Sequence, residues 1–542
     1  MERDDPRQAP SAHAWWSRAP LDRRAALGVL GAAGVAGLLA ACSGDDPPTS
    51  APPSTTTAGG PGPLAPQGMP ELEPEMRDLH LRLVAAPATA TIVAGTETEV
   101  LSFRAEVLDG DPASVTSSGS YLGPTLHLRT GQRVRVDFDN EIDQDCIVHW
   151  HGLVLPQGQD GQPPEAVGPG ERYEYDFTVP NEPGTYWYHS HTDMLTGEQV
   201  YRGLAGLLIV HGDEPGLPSR DNDFALVLQD RTIDADGTLR YAASMHDLMA
   251  GFVGSTLVTN GVAELALRVR REPYRIRLLN GANSRLQRLT WSTGEPLHAV
   301  ATDGELLPET VDVPGLVLAP AQRTDLWMDF SGHEPGDRIE LRAADLFVEA
   351  PGMGPGRGPG RGGGTPMLDP VEGVAVTFVV DDSPAEPGEV PARPGGSVAV
   401  HAADAVNADA PKQFVLSTFR ASHWINDTQW AGREVTETET VAFGTTEVWE
   451  FVSRSPLTHP MHLHGQAFRV VERTWEDDGA AAAWEQIADG VVESGLRDTV
   501  VVWPGQRVRI VVPFDAHRGY FLYHCHILEH EDHGMMRSFL IE

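Results

Sequence analysis

Two stretches of 23 residues, far apart in the chain, align without a gap. They read PGERYEYDFTVPNEPGTYWYHSH, from Pro169 to His191, and PGQRVRIVVPFDAHRGYFLYHCH, from Pro504 to His526. Each begins at a turn, continues as an alternating strand, turns again at Gly184 or Gly519, and ends in an aromatic strand with two histidines. A repeat of this kind predicts that both ends of the chain contain copies of one β-sandwich domain.

A third, weaker copy lies between them. The segment PAQRTDLWMDFSGHEPGDRIELRA, from Pro320 to Ala343, has Leu341, Arg342 and Ala343 where the other copies have His-X-His. The chain is therefore predicted to be all-β, with three related sandwich domains over residues 76–215, 216–390 and 391–542 and no metal ligands in the middle one. A stretch rich in Gly, Pro and Arg, from Pro351 to Pro366, is expected to be a flexible insertion, and Ser244 to Phe252 a short helix.

The N-terminal region predicts export. Arg23-Arg24 precedes a mainly apolar run, Ala25 to Ala41, that is short and rich in Gly and Ala for a membrane span. Residues 1–42 resemble a bacterial twin-arginine lipoprotein signal, in which Cys42 becomes the lipidated first residue; a plain membrane anchor is the alternative. Residues 43–75 are expected to form a flexible tether. The expected location is outside the cytoplasm, either periplasmic or lipid-anchored to the outer face of the cytoplasmic membrane.

The charge of the chain limits its partners. Acidic residues number 77 and basic residues 40, which gives a formal net charge of −37. Such a chain is not expected to bind nucleic acid or to adhere to anionic lipid, so contact with a membrane is expected only through a lipid at Cys42. Of three cysteines, Cys146 and Cys525 then remain, and no disulfide is expected.

Histidine pairs are the strongest functional signal. Four His-X-His pairs occur, whereas random placement of the 21 histidines would give about one. Alternate residues of a strand share a face, so each pair presents two imidazoles to one side, and two facing domains can bring eight together. Such a cluster predicts a metal site, although imidazole alone suits Zn, Cu, Fe or Ni. The pairs are His149/His151, His189/His191, His462/His464 and His524/His526.

A cysteine stands inside one of these pairs. Cys525 lies between His524 and His526, so its side chain is expected on the opposite face of the strand. It can therefore bind one metal ion while its two covalent neighbours bind others. The route from its sulfur to the neighbouring imidazoles runs almost entirely through bonds and is on the order of 10 Å, which predicts a path for electrons between two metal centres.

The residues near this cysteine narrow the metal to copper. By the same parity His459 faces away from the His-X-His side of its strand, and His530 and Met535 follow in a loop. Two histidines, one cysteine and a weak methionine are the ligand set of a blue-copper electron-transfer site. The first copy of the repeat has Ser190 and Cys146 at the positions of the cysteine and His459, so no blue site is expected there and Cys146 is expected to be a small buried residue.

Four motifs, HWHG, YHSHT, HPMHLHG and HCHILEHEDHGMM, occur in this order, and through them the chain resembles the three-domain multicopper oxidases: laccases, bilirubin oxidases and bacterial copper-efflux oxidases. The resemblance covers about residues 75–542 and implies three cupredoxin-like Greek-key β-sandwich domains with four copper ions. Carried over by motif position, the type 1 (blue) copper takes His459, Cys525, His530 and Met535. The type 2 copper takes His149 and His462, and the type 3 pair takes His151, His189, His191, His464, His524 and His526.

The resemblance also implies a reaction. The family takes one electron at a time from a reductant at the blue copper and reduces O₂ to two waters at the three-copper cluster. That reduction consumes protons, so carboxyl groups are expected near the cluster. Asp160, in HGLVLPQGQDG, and Glu531, directly after His530, match the family's proton-relay positions, and the alternative for each is a solvated surface acid.

The reductant stays open between a phenolic compound and Cu⁺. Copper-efflux oxidases often carry a methionine-rich insertion, whereas this chain has 12 methionines in all and an insertion of Gly, Pro and Arg. This departure favours a laccase-like oxidase of phenols or similar organic reductants, with a cuprous oxidase for copper tolerance as the alternative. A copper-binding protein without turnover is a further alternative. The complete ligand sets argue against a sandwich protein that has lost its metals, and copper nitrite reductases share the fold but do not need four His-X-His pairs.

Overall fold

The alternating segments of the sequence form strands that pair into three sandwiches. The computed structural model describes residues 62–242, 244–344, 346, 373–396, 400–419 and 422–542. The export signal expected at 1–42 and the insertion expected at 351–366 lie outside these residues. In the described part of the chain, no helix is both long and apolar enough to cross a membrane.

The first sandwich shows why the alternating pattern folds as it does. Its strands are β1 (Leu79–Ala90), β2 (Thr98–Asp109), β3 (Val115–Thr116), β4 (Gly123–Arg129), β5 (Arg133–Asn140), β6 (Val148–His151), β7 (Arg172–Thr178), β8 (Gly184–Ser190) and β9 (Ala205–His211). A four-stranded sheet, β2-β1-β5-β7, packs on a five-stranded sheet, β3-β4-β9-β8-β6. Val134, Val136 and Phe138 of β5 point into the core between them, while Arg133 and Arg135 are exposed.

The middle sandwich fills the ligand positions of the repeat with apolar side chains. Its strands are β10 (Asp223–Ile233), β11 (Leu239–Arg240), β12 (Thr256–Thr259), β13 (Ala266–Val269), β14 (Pro273–Asn280), β15 (Gln287–Trp291), β16 (Leu297–Thr302), β17 (Glu305–Val313), β18 (Leu316–Leu318), β19 (Arg323–Asp329), β20 (Arg338–Ala344) and β21 (Gly373–Val380). One sheet has the order β11-β10-β14-β19-β16-β17 with β12 also paired to β10, and the other has the order β13-β21-β20-β15-β18. Leu341 and Ala343 of β20 are buried in the core, which explains why this copy of the repeat needs no histidine there.

The third sandwich repeats the plan of the first with two five-stranded sheets. Its strands are β22 (Lys412–Phe419), β23 (Ser422–Ile425), β24 (Thr440–Val441), β25 (Thr445–Ser453), β26 (His459–Leu463), β27 (Arg469–Trp475), β28 (Thr499–Val502), β29 (Gln506–Phe514), β30 (Gly519–Cys525) and β31 (Met536–Ile541). The sheets have the orders β23-β22-β25-β29-β27 and β24-β31-β30-β26-β28. β26 and β30 are adjacent and antiparallel, so the residues of the two last histidine motifs lie side by side.

Short helices bring the three sandwiches together. They are α1 (Thr196–Arg202), α2 (Met245–Ala250), α3 (Asp478–Glu485) and α4 (Leu528–Asp532), with single 3₁₀ turns at Pro112–Ser114, Gln157–Gln159, Pro163–Glu165, Arg220–Asn222, Ala402–Asp404 and Ala488–Gly490. The short helix predicted at Ser244 to Phe252 is present as α2, because Ser244 and Asp247 form a reciprocal capping box at its start. α4 of the third sandwich packs against α1 and α2, which belong to the first and the middle sandwich.

The segment before β1 differs from expectation in its described part. Residues 43–75 were expected to be a flexible tether, but the backbone N–H of Leu64 donates to the carbonyl of Ala266 at 2.9 Å and that of Met69 donates to the carbonyl of Asp223 at 3.0 Å. The chain is therefore hydrogen-bonded to the middle sandwich at Leu64 and Met69. Residues 43–61 lie outside the described residues.

Candidate metal centre

The four His-X-His pairs meet between the first and the third sandwich. Pairing of β6 with β8 sets His149 opposite His189, and pairing of β26 with β30 sets His462 opposite His524. The two strand pairs then face each other, because the ring of His149 stacks on that of His464 and the ring of His151 on that of His462, both at 3.8 Å between centroids. The eight histidines are fully buried. They are His149, His151, His189, His191, His462, His464, His524 and His526.

The eight rings form three groups, two of which share His464, and in each group the candidate ligand atoms lie within 4.8 Å of one another. The first group joins one histidine of the first sandwich with two of the third. The second group has two histidines from the first sandwich and one from the third. The last group has one histidine from the first sandwich and two from the third. These groups are His149/His462/His464, His151/His189/His526 and His191/His464/His524. Every group therefore needs both outer sandwiches, and neither one alone presents a complete set.

The hydrogen bonds of these rings leave nitrogen lone pairs free for a metal. Nδ1 of His149, His189 and His462 donates to the carbonyls of Asp160, Ser190 and Asp498 at 2.7, 2.8 and 2.8 Å. Such a bond fixes the tautomer and leaves Nε2 as an acceptor. Among the described residues, Nε2 of each of these three rings has no hydrogen-bond partner, although it is buried. Burial also lowers the pKa of His151, His189, His191, His462, His464 and His526 well below the usual range, so these imidazoles are neutral.

A second constellation lies inside the core of the third sandwich. Sγ of Cys525 is 3.5 Å from Nδ1 of His459 and 3.5 Å from Nδ1 of His530, and the two nitrogens are 3.3 Å apart. Cys525 thus points away from the group that contains its neighbour His524, as strand parity predicted. Burial raises the pKa of the Cys525 thiol well above its usual range, and coordination to a metal ion would remove that proton.

Met535 is held beside this constellation by the backbone. Its N–H donates to the carbonyl of His530 at 2.9 Å, and its own carbonyl accepts from the N–H of Cys525 at 3.0 Å. The side chain is fully buried in the same core cluster as Cys525. A soft thioether is thereby held in the same core as one thiol and two imidazoles, and this donor set fits copper better than zinc, calcium or magnesium.

Comparison with known proteins assigns this arrangement to a family. Two family models, each described as multicopper oxidase, match residues 102–215 and 405–542. The laccase of Haloferax volcanii is 33% identical over 480 residues, which cover 78% of this chain and 77% of that protein. The chain belongs to the multicopper oxidases.

Solved multicopper oxidases share the fold. The multicopper oxidase from the hyperthermophile Aquifex aeolicus matches with a TM-score of 0.70 and 28% identity, covering 89% of this chain and 99% of that one. A laccase from Pediococcus acidilactici matches with a TM-score of 0.72 and 28% identity, covering 89% and 94%. The predicted fold class, three cupredoxin-like sandwiches, is confirmed. So are the predicted family and the enzyme class, an oxidoreductase that depends on copper.

The first sandwich of this multicopper oxidase has no counterpart of the cysteine constellation in its described residues. Sγ of Cys146 lies 3.7 Å from Oγ of Ser190, at the positions that His459 and Cys525 occupy in the third sandwich. Burial raises the pKa of the Cys146 thiol to about 12. Cys146 is a protonated, fully buried thiol packed in the core.

Two carboxylates contact the outer nitrogens of the histidine cluster. Oδ2 of Asp160 is 2.8 Å from Nδ1 of His464, and Asp160 is fully buried. Oε2 of Glu531 is 3.1 Å from Nδ1 of His524, and its Oε1 is 3.6 Å from Nδ1 of His191. These are the two acids that the sequence singled out, and both lie inside the protein beside the cluster rather than at the surface.

Three residues that the sequence analysis did not single out also lie at the two centres. His423 stacks on His530 with ring centroids 4.0 Å apart, and burial lowers the pKa of His423 to about 3. Nε2 of His530 donates to the carbonyl of Met249 in α2 at 3.0 Å. Asp498, whose carbonyl accepts from His462, also receives two hydrogen bonds from Arg323 of the middle sandwich. None of these contacts has a local sequence signature, because each joins positions far apart in the chain.

Proposed function

We propose that this multicopper oxidase holds four copper ions and is laccase-like. The type 1 copper would be held by His459, Cys525 and His530, which form one group, and by Met535, which is buried in the same core. The type 2 copper would be held by His149 and His462, and the type 3 pair by His151, His189, His191, His464, His524 and His526. The observation that carries this proposal is the division of the buried histidines into three groups, with a separate Cys-His-His group one residue away along β30.

Bound copper would supply one-electron chemistry: four electrons taken from a reductant, with four protons, convert one O₂ into two waters. The chain itself supplies the route between the two centres. Cys525 is covalently joined to His524 and His526, which belong to two different groups of the cluster. Electrons that enter at the Cys525 sulfur therefore have a path of bonds to the cluster on the order of 10 Å long.

We propose that Asp160 and Glu531 are catalytic and deliver the protons. Glu531 holds its carboxyl against the outer nitrogens of His524 and His191, and Asp160 holds its carboxyl against that of His464. In the described part of the chain, Oδ1 of Asp160 and Oε2 of Glu531 are buried without a hydrogen-bond partner. Each thus has an oxygen that can take up and release a proton near the cluster.

The proposed reductant is a phenolic or similar organic compound. Support comes from the laccases among the relatives and from the insertion at 351–366, which has Gly, Pro and Arg in place of a methionine-rich sequence. The test is a comparison of kcat/KM for a phenolic donor and for Cu⁺ on the same copper-loaded protein. A laccase-like enzyme turns over the phenol with the larger kcat/KM, and activity confined to Cu⁺ contradicts the proposal.

A cuprous oxidase is the second candidate, and α2 favours it. Met245 and Met249 stand one helical turn apart on α2, Met245 is 64% exposed, and the carbonyl of Met249 accepts from His530. Thioethers are soft donors that suit Cu⁺. If Cu⁺ enters here, Met245→Leu lowers kcat/KM for Cu⁺ and leaves that for a phenol unchanged. Equal values for Cu⁺ before and after the substitution exclude this entry point.

We also propose that the protein is exported as a folded lipoprotein. The twin arginines Arg23-Arg24 and the sequence that ends at Cys42 support this assignment, and export in the folded state would suit a protein that carries a cofactor. The mature protein would then be tethered outside the cytoplasm by a lipid on Cys42. Mass spectrometry of the N-terminal peptide tests it: a lipidated Cys42 is expected, and an unmodified N-terminus upstream or downstream of Cys42 contradicts it.

A further inference from the structure

The middle sandwich contributes one fully buried arginine to the junction of all three sandwiches. Arg323 begins β19, and each of its five side-chain N–H groups has a partner. Nε donates to the carbonyl of Thr185 in the first sandwich at 3.0 Å, and Nη1 and Nη2 also donate to the carbonyls of Ala321 and Asp303 in the middle one. The two remaining N–H groups form a fork on the carboxylate of Asp498 in the third sandwich, at 2.9 and 2.6 Å.

Asp498 in turn stands between two rings of the histidine cluster. Its carbonyl accepts from Nδ1 of His462 at 2.8 Å, and its Oδ1 is 3.7 Å from the same nitrogen. Its Oδ2 is 3.8 Å from Nδ1 of His151, a histidine of the first sandwich. The rings of His151 and His462 are stacked within 16° of parallel, so one residue lines the outer edge of both.

The two hydrogen bonds from Arg323 determine whether the carboxylate of Asp498 can bind a metal ion. A carboxylate in this position lies close enough to His151 and His462 to join them around a metal ion. Both of its oxygens, however, are committed to Arg323, and Oδ1 also accepts from Oγ1 of Thr499 at 2.9 Å. Asp498 therefore acts on the cluster through the histidines, not as a ligand.

We propose that Arg323 and Asp498 are positioning residues for the type 2 copper site. Arg323 is itself held by hydrogen bonds to three backbone carbonyls, and it fixes the carboxylate of Asp498 with two more. The carbonyl of Asp498 then orients His462, and the same unit sets the distance between His462 of the third sandwich and His151 of the first. The sandwich without ligands thus has a role in metal binding. This inference rests on the proposed copper assignment, because His462 is one of the two type 2 ligands in it.

The backbone of the first sandwich packs tightly against the ion pair of Arg323 and Asp498. Gly152, which follows His151, has a φ of +90°, and a Cβ there would meet Oδ2 of Asp498 at 2.7 Å and Nη2 of Arg323 at 2.8 Å. The first sandwich therefore closes directly on the ion pair. Lysine cannot replace arginine here, because one ammonium group cannot donate hydrogen bonds to three backbone carbonyls and to both carboxylate oxygens at once.

The test is copper retention in the variant Arg323→Lys, which keeps the charge and loses the fork. Wild-type and variant proteins are loaded with copper and titrated with a chelator, and three quantities are followed: copper per chain, the electron paramagnetic resonance signal of type 2 copper, and the blue absorbance. We expect the type 2 signal of Arg323→Lys to disappear at a chelator concentration 10- to 100-fold lower than in wild type, the usual effect of losing a partner of a metal ligand. The blue absorbance is expected to persist.

Arg277→Lys is the matched control. Arg277 is a buried arginine of the same sandwich, forked on Asp223 and bonded to Oγ1 of Thr185. No hydrogen bond or ion pair within the described residues joins it to Asp498 or to a candidate ligand. This variant is expected to retain type 2 copper as wild type does. Asp498→Asn keeps the backbone carbonyl that accepts from His462 but loses the negative charge. It is expected to behave like Arg323→Lys, and it replaces that variant in the test if Arg323→Lys does not fold.

Three results would overturn the inference. One is retention of type 2 copper in Arg323→Lys and Asp498→Asn at the wild-type chelator concentration. The others are an equal loss of type 2 copper in Arg277→Lys and a loss of the blue absorbance in step with the type 2 signal, since both indicate general destabilisation. Wild-type protein that lacks a type 2 signal when fully loaded is a different outcome: it removes the proposed copper assignment and the inference with it.

Discussion

The carboxylate of Asp160 accepts a hydrogen bond from Nδ1 of His464 at 2.8 Å, across 304 positions of sequence. Its backbone carbonyl accepts from Nδ1 of His149 at 2.7 Å. One residue of the first sandwich therefore orients a histidine of its own sandwich and one of the third. On the other side, the carboxylate of Glu531 lies 3.1 Å from Nδ1 of His524 and 3.6 Å from Nδ1 of His191. The two acids bracket the cluster at the outer nitrogens of its rings.

We predict that Asp160→Asn and Glu531→Gln slow the reduction of O₂ and leave copper content and blue colour intact. The amides keep the shape of the acids but cannot deliver a proton. The effect should be on the order of 10²-fold or more, the scale of general acid catalysis. Stopped-flow absorbance measures it directly: substrate bleaches the blue band at the wild-type rate, and O₂ restores it slowly. If both fully loaded variants recover the band at the wild-type rate, these acids are not the proton donors.

A second prediction concerns the thiol at the centre of the Cys-His-His group. Cys525→Ser should abolish the blue band and the oxidase activity, because a hydroxyl does not replace a thiolate as a ligand of blue copper. The fold should survive with a change in unfolding free energy of about 1 kcal/mol, typical of a small buried substitution. Absorbance and circular dichroism of the same sample check both parts. An intense blue band in this variant would exclude Cys525 as the ligand.

Cys146 provides a contrast within the same chain. With its pKa raised to about 12, roughly one thiol in ten thousand is ionised at pH 8, and the side chain is fully buried. We predict that iodoacetamide does not modify Cys146 in the folded protein at pH 8, and that it does so after unfolding in guanidinium. Because the folded pKa is raised, more thiolate forms as the pH increases towards 12. Peptide mapping by mass spectrometry distinguishes Cys146 from the other cysteines, and equal labelling in folded and unfolded protein would refute the buried assignment.

The glycine after His151 allows a sharp test of packing at the cluster. Gly152→Ala places a Cβ 2.7 Å from Oδ2 of Asp498 at a φ of +90°, whereas Gly131→Ala has a similar φ, +82°, with no atom within 4 Å. Both lose about 1 kcal/mol to the backbone conformation. Gly152→Ala should lose about 1–3 kcal/mol more through the clash. Denaturant unfolding of the copper-free proteins measures the difference, and equal stability of the two variants would contradict the packing described.

The features of the fold and the site that could be predicted from the sequence are those that produce a pattern among residues close together in the chain. Strand parity and the repeat were sufficient to assemble the eight histidines and to turn Cys525 away from them, because a strand alternates its side chains in a fixed way. The ion pair of Arg323 and Asp498 has no such pattern. It exists only because the three sandwiches pack around one point, and 175 positions separate its members.

Two further contacts could not be predicted from the sequence, because they also join parts of the chain that are far apart. Leu64 and Met69 lie in a segment with the composition of a tether, yet both are hydrogen-bonded to strands of the middle sandwich. His423 stands alone in SHWI, and only the pairing of β22 with β23 brings it onto His530. Composition and residue spacing describe one segment of the sequence, whereas these contacts depend on which other segment packs against it in the fold.

Each chain is proposed to hold one blue copper and a three-copper cluster. Copper and protein are therefore to be quantified together on fully loaded wild-type protein, by elemental analysis and amino-acid analysis, with the blue absorbance recorded on the same sample. The ligand groups predict four coppers per chain, of which one is blue. A ratio of one or two coppers, reproducible after loading to saturation, would contradict the account.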